Sequence, residues 1–232
     1  MDMLSDHGSA LDDLYAVFSR YPLPARTDVC DHCVSPESVQ AARAVPLRML
    51  TASALSSYAS HAVSTWGDFE EFKHYLPRLL ELLILEELDG FHAVTVMRWV
   101  GAGWQSLSQV EQEAVVAVVD AWWRWTLHDY PRDVDVMVMI EIIADDLDLD
   151  LAPYLAEWET LNAETAARHM AWLVEDFTVH SVSRTDWYAG LEAWMNGSAP
   201  ATILRAGLAS TDSPEVAQEL SNALEIHRAW NR

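Results

Sequence analysis

Residues 108–128, with the sequence SQVEQEAVVAVVDAWWRWTLH, decide the fold class. Ser108 and Glu111 have the spacing of a capping box, in which the two side chains satisfy free N–H groups at the start of a helix. Apolar residues then recur for about five turns of helix, at 3.6 residues per turn. The stretch therefore predicts a long, largely buried α-helix that ends near His128.

Helix signals of the same kind follow one another along the rest of the chain. Ser35-Pro36-Glu37 is typical of an N-cap followed by proline at the first helical position, and Asp68 precedes another helix. Residues 134–144 are almost wholly apolar and would also suit a strand, but no partner strand is evident, so we interpret them as a buried helix. Pro77 is expected to kink or restart the helix that contains it.

Together these signals predict about eleven helices joined by short connections, and hence an all-α protein. Short connections favour antiparallel neighbours, stacked as helical hairpins in an irregular HEAT-like α-solenoid. A closed helical bundle is the alternative architecture. No linker-like segment divides the chain, so residues 1–232 are expected to form a single all-α domain.

The charge balance limits the classes of partner. There are 36 acidic and 14 basic residues, which gives a net charge of −22. Such a surface repels phosphate backbones and anionic lipids, so we expect neither nucleic acid nor a membrane as a partner, and we favour a basic protein or peptide. With no secretory signal, no apolar run long enough for a membrane span and only two cysteines, the chain is expected to be cytoplasmic.

The two cysteines lie three positions apart in Cys30-Asp31-His32-Cys33. Such a pair can hold one metal ion or close a small disulfide. A structural zinc ion needs four ligands, and His32, with His74 or His61, could complete the set. Without a metal, the pair is two reduced thiols in a loop between helices. We favour the metal-free alternative, because only half of a zinc motif is present, and we expect no other cofactor.

Two segments stand out in the first third of the chain: the proline-rich approach to the cysteine pair, followed by Ser-Pro-Glu, and residues 65–82, TWGDFEEFKHYLPRLLEL. Both segments resemble a family of uncharacterised bacterial helical proteins. The resemblance implies a helical fold and no assigned activity. It also implies that the cysteine pair and the His74 segment belong to one pattern. Taken alone, the Glu71-x-x-His74 spacing is typical of a solvated helix face.

A second group of candidate residues is acidic and aromatic. Glu141 interrupts an apolar stretch, and Asp145 lies one turn further along the same helix face. Trp122 and Trp125 lie on the predicted long helix and could form a cage for a cation, although such residues are more often part of a core.

No familiar catalytic motif is present in the sequence. The sequence therefore favours a non-catalytic helical interaction module that uses its acidic surface to bind a protein or peptide. The alternative is a helical enzyme or small-molecule binder with an interior acidic and aromatic pocket formed by Glu141, Asp145, Trp122 and Trp125.

Overall fold

The all-α prediction is confirmed. The structure is a computed structural model that describes the backbone of residues 3–179 and 186–230, and the described residues form α-helices and no strand. Their α-helices are α1 (Met3–Phe18), α2 (Pro36–Ala42), α3 (Ala52–His61), α4 (Phe69–Ile84), α5 (Gly90–Gly103), α6 (Gln109–His128), α7 (Val136–Glu141), α8 (Ala152–Thr160), α9 (Glu164–Val179), α10 (Asp186–Met195), α11 (Ala199–Ser210) and α12 (Pro214–Trp230).

The helix starts predicted at Ser35, Asp68 and Ser108 lie where these caps indicate. The Asp68 carboxylate accepts a hydrogen bond from the N–H of Glu71 at 2.9 Å, and α4 begins at Phe69, directly after Asp68. At the start of α6, the N–H and hydroxyl of Ser108 both donate to Glu111 Oε2 at 2.7 Å. Pro77 does not restart α4, which runs through it as one helix. The predicted caps of α10, Ser183 or Thr185, lie outside the described residues.

The apolar stretch 134–144 is helical from Val136 onward, and its geometry changes along its length. Asp135 caps α7, accepting N–H groups at 2.8 and 3.0 Å. After Glu141 the chain widens into a π-helical turn, Ile142–Asp146, in which the N–H of Leu147 donates to the carbonyl of Ile142 at 3.1 Å. Such π turns loosen the regular helical ladder.

The chain divides into two compact units, residues 1–122 and residues 123–232, with the boundary inside α6. In the first unit, α4 packs against α1, α3 and α5, and its buried face is rich in leucine. In the second unit, α9, α11 and α12 each pack against the other two. The single-domain interpretation and the choice between solenoid and bundle stay predictions.

Within the parts of the chain that the structure describes, no helix is both long enough and apolar enough to span a lipid bilayer.

Candidate functional site

An acidic cleft lies in the first unit, between the N-terminal end of α4 and the loop that follows α1. Its volume is about 420 Å³. Four carboxylates and one guanidinium group line it, so the cleft is negatively charged, as is the whole chain. The cleft is lined by Tyr21, Pro22, Pro24, Arg26, Thr27, Asp28, Gly67, Asp68, Glu70 and Glu71.

Three hydrogen bonds fix the outer wall of the cleft against α4 and the turn before it. The carbonyl of Asp28 accepts the N–H of Gly67 at 2.7 Å, and the N–H of Cys30 donates to the carbonyl of Thr65 at 2.9 Å. The Nδ1 atom of His74 lies 2.8 Å from the carbonyl oxygen of Tyr21. The two segments that carry the family resemblance are therefore in direct contact.

Glu71 forms the floor of the cleft, and its side chain is almost fully buried. Only 3% of the residue is exposed, and the Thr27 hydroxyl donates to its Oε2 atom. Gly67 leaves room for this carboxylate, since a Cβ atom there would lie 2.7 Å from Oε2. Gly67 also has a φ of +67°, a conformation that disfavours other residues. The interpretation of Glu71 as part of a solvated helix face is therefore wrong.

The other oxygen of Glu71 has unused capacity to accept a hydrogen bond. Oε1 lies 4.0 Å from Nη1 of Arg43, too far for a hydrogen bond, and neither atom has another hydrogen-bond partner among the described residues. A buried polar atom without a partner is unfavourable, and native proteins retain few of them. Three other buried side-chain atoms also lack a hydrogen-bond partner among the described residues: Tyr58 Oη, Thr65 Oγ1 and Trp66 Nε1.

Burial raises the pKa of Glu71 above its ordinary value of 4.5, and the Thr27 hydrogen bond and the Arg43 charge oppose this only in part. The charged form is therefore less favourable in the folded protein than in the unfolded chain. A carboxylate retained in such a place is a candidate for a functional role rather than a stabilising one.

We expect Glu71→Gln to be at least as stable as the wild type at pH 7. Glutamine can still accept the Thr27 hydrogen bond, and it removes a buried charge whose folded pKa is raised. By linkage, the advantage of the variant is complete above that folded pKa and disappears as the pH falls toward 4.5. Urea unfolding of both proteins between pH 7 and pH 4 measures this, and a variant that is clearly less stable at pH 7 would contradict it.

The remaining carboxylates of the cleft differ in how strongly they are compensated. Glu70 forms an ion pair with Lys73, in which Oε1 lies 2.5 Å from Nζ. The same Nζ atom lies 4.5 Å from the centre of the Tyr21 ring. Asp28 and Asp68 are exposed at the mouth of the cleft. Asp28, Asp68 and the buried Glu71 therefore supply most of the negative charge that a ligand would meet.

The predicted metal ligands are only partly brought together. Cys30 and Cys33 lie at the two ends of one turn, in which the N–H of Cys33 donates to the carbonyl of Cys30 at 2.9 Å, and both are exposed. His32 is also exposed, and His74 contacts the Tyr21 carbonyl. In the described ranges, no group of three or more His, Cys, Asp or Glu residues is arranged to hold a metal ion. The four-ligand zinc site stays a prediction that these positions do not support.

The predicted acidic and aromatic residues occupy different environments. Trp122 is fully buried, Trp125 and Glu141 are partly buried, and Asp145 is exposed and accepts the indole N–H of Trp187 at 3.2 Å. None of the four lines the acidic cleft. None lines a second, more apolar cleft of about 490 Å³ in the second unit, formed by Leu149, Asp150, Leu151, Ala152, Leu155, Ala156, Glu159, Trp187, Gly190, Leu191 and Trp194.

Asp28 and Asp68 were not among the predicted site residues. One local signal was present, because glycine directly before a helix-capping aspartate is a position where backbone and side chains can approach closely. The pairing of this turn with the loop after α1 was not readable from the sequence.

The chain matches no protein-family model, no curated protein and no solved structure in the comparisons made. The resemblance to a bacterial family therefore stays a prediction.

Proposed function

We propose that the protein is a non-catalytic interaction module, and that its acidic cleft binds a lysine or arginine side chain in a basic segment of a partner protein. The observation that carries the proposal is the Glu71 carboxylate, which is buried at the floor of the cleft with one oxygen lacking a hydrogen-bond partner among the described residues.

The chemistry of the lining favours an organic cation. Asp28 and Asp68 offer carboxylates at the mouth, and Glu71 offers a further acceptor at the floor. The ring of Tyr21 adds an aromatic surface of the kind that cations contact favourably. Ammonium and guanidinium groups donate several hydrogen bonds each and accept none, so they complement a wall of carboxylates.

The charge of the whole chain supports the same class of partner. A net charge of −22 attracts basic proteins over distances beyond the cleft and increases their rate of association, and it repels nucleic acids. A cytoplasmic location forms part of the proposal and is supported by the use of only two cysteines, both present as free thiols.

The test is the affinity of the full chain for a short fluorescent peptide rich in lysine and arginine, measured by anisotropy. We expect Asp28→Asn combined with Asp68→Asn to weaken binding about tenfold, because two charge-assisted contacts are lost at roughly 0.5 to 1 kcal/mol each. Asparagine remains a good N-cap, so α4 should keep its start. Added salt should weaken the wild type more than the variant.

A matched control separates the cleft from the overall charge. Asp13→Asn combined with Glu37→Gln removes the same number of charges from exposed positions elsewhere in the first unit. We expect this control to bind the basic peptide nearly as well as the wild type. Equal weakening by both pairs would show that binding depends only on net charge, and the proposal would then be wrong.

A further inference from the structure

The turn that carries the two cysteines is held in a shape suited to a chemical reaction between them. The N–H of Cys33 donates to the carbonyl of Cys30 at 2.9 Å, which is the hydrogen bond of a four-residue turn. Such turns bring their first and last Cα atoms within about 7 Å, close to the upper end of the range that a disulfide spans.

Both ends of this turn are anchored to the first unit. The N–H of Cys30 is bound to the carbonyl of Thr65, and Val34, directly after Cys33, is 4% exposed. The N–H of Val34 also donates to the carbonyl of Cys30 at 3.1 Å. The backbone therefore holds the two side chains next to each other, while the sulfur atoms themselves remain exposed to a reagent in solution.

From this geometry we propose that Cys30 and Cys33 form a reversible dithiol–disulfide site that reacts with small disulfides such as oxidised glutathione. This inference does not rest on the proposed function of the cleft. The pair is a modification site on the loop whose preceding residues, Thr27 and Asp28, form the cleft wall.

The two cysteines have different roles in the reaction. Hydrogen bonding toward the Cys30 sulfur, first from the backbone N–H of His32 and then from Cys33, lowers the pKa of Cys30. The hydrogen bond to Cys30 raises the pKa of Cys33. Since the thiolate is the reactive form, Cys30 is the attacking sulfur and Cys33 is the resolving one.

The exchange balances in two steps. The Cys30 thiolate attacks one sulfur of oxidised glutathione, so a Cys30–glutathione disulfide forms, the S–S bond of the oxidant breaks, and the first glutathione leaves with the proton that Cys30 has lost. Cys33, as its thiolate, then attacks the Cys30 sulfur, so the Cys30–Cys33 disulfide forms, the mixed disulfide breaks, and the second glutathione leaves with the proton of Cys33. The protein loses two electrons and two protons, and the oxidant accepts both.

The experiment uses the full chain, first reduced with dithiothreitol and then equilibrated in mixtures of reduced and oxidised glutathione. Free thiols are counted by alkylation and mass spectrometry. We expect both thiols to be lost together, with a mass loss of two hydrogen atoms and no glutathione adduct, and dithiothreitol should restore them. A wild type that keeps both thiols, or that ends as a glutathione adduct or a disulfide-linked dimer, would overturn the proposal.

Two single variants test the assigned roles. Cys33→Ser should accumulate a glutathione adduct on Cys30, because no resolving thiol is present, and Cys30→Ser should form its adduct more slowly. Both side chains are exposed, so each variant should fold like the wild type, which circular dichroism checks. Equal rates for the two variants would refute the assignment of Cys30 as the attacking sulfur.

Discussion

Glu111→Gln is expected to lower the free energy of unfolding by about 2 kcal/mol at pH 7. Glu111 is 1% exposed and receives hydrogen bonds from Tyr21, Arg20 and Ser108. Burial alone would raise its pKa, but these donors outweigh burial and hold it at about 2, against an ordinary value of 4.5. That difference in pKa corresponds to about 3 kcal/mol of stability. Because Arg20 is half-exposed, water screens its attraction for Glu111, and the expected effect is therefore reduced to about 2 kcal/mol.

The effect of Glu111 depends on pH with a definite sign. A carboxyl group with a lowered folded pKa contributes stability above its unfolded pKa of 4.5, and this contribution disappears as the pH falls toward 2. The difference between the wild type and Glu111→Gln should therefore be complete at pH 7 and small near pH 2. Urea unfolding of both proteins across this range measures it.

Glu113→Gln is the matched control for this prediction. Glu113 lies on the same helix, two residues further on, and its exposed side chain accepts a hydrogen bond from Gln109. Surface changes of this kind alter stability by about 0.5 kcal/mol or less. If Glu111→Gln and Glu113→Gln had the same small effect, the network around Glu111 would contribute nothing to folding.

A second large effect is expected in the other unit, where Gly207→Val should destabilise the protein by about 3 kcal/mol. Gly207 lies on α11, where a Cβ atom would be 2.2 Å from Ala167 Cβ on α9 and 3.0 Å from Leu220 Cδ1 on α12. Ala167 cannot rotate away, since its Cβ is fixed to the backbone. The helices would have to separate, and the contacts at their shared interface would be lost.

Gly190→Ala provides the comparison for the same type of change. Among the described residues, and apart from the backbone of its own helix, no atom lies within 4 Å of the position that a Cβ would occupy at Gly190, which lies inside α10. Alanine favours a helix over glycine, so this variant should be more stable by about 0.5 to 1 kcal/mol. Thermal and urea unfolding of both variants should therefore give shifts of opposite sign. A stable Gly207→Val protein would contradict the close packing of α9, α11 and α12.

Much of the fold could be predicted because the start of a helix depends on a few residues that are adjacent in the sequence. Asp68 and Ser108 each lie directly before the helix they cap, and their partners are three residues away. The helical content followed from these signals and from apolar periodicity. The widened turn after Glu141 could not be predicted, because apolar residues at that spacing suit α- and π-helical geometry alike.

The candidate site was harder to predict because it depends on which polar residues are buried. Glu71 lies on a helix with many charged residues, and its spacing to His74 is that of a solvated face. The structure buries it because the loop after α1 crosses above it and Thr27 contacts its carboxylate from 44 residues away. The partners of a buried charge in a different element are not encoded in local spacing.

By itself, the sequence determined the helical class, several helix starts, the negative charge and the spacing of Cys30 and Cys33, because each of these depends on neighbouring residues or on composition. The tertiary structure alone decided that Glu71 forms the floor of a cleft. It also decided that Glu111, predicted only as part of a cap, binds Tyr21 from 90 residues away. Such contacts form when distant segments pack together, since burial in a shared core, rather than local preference, selects the partner of each polar side chain.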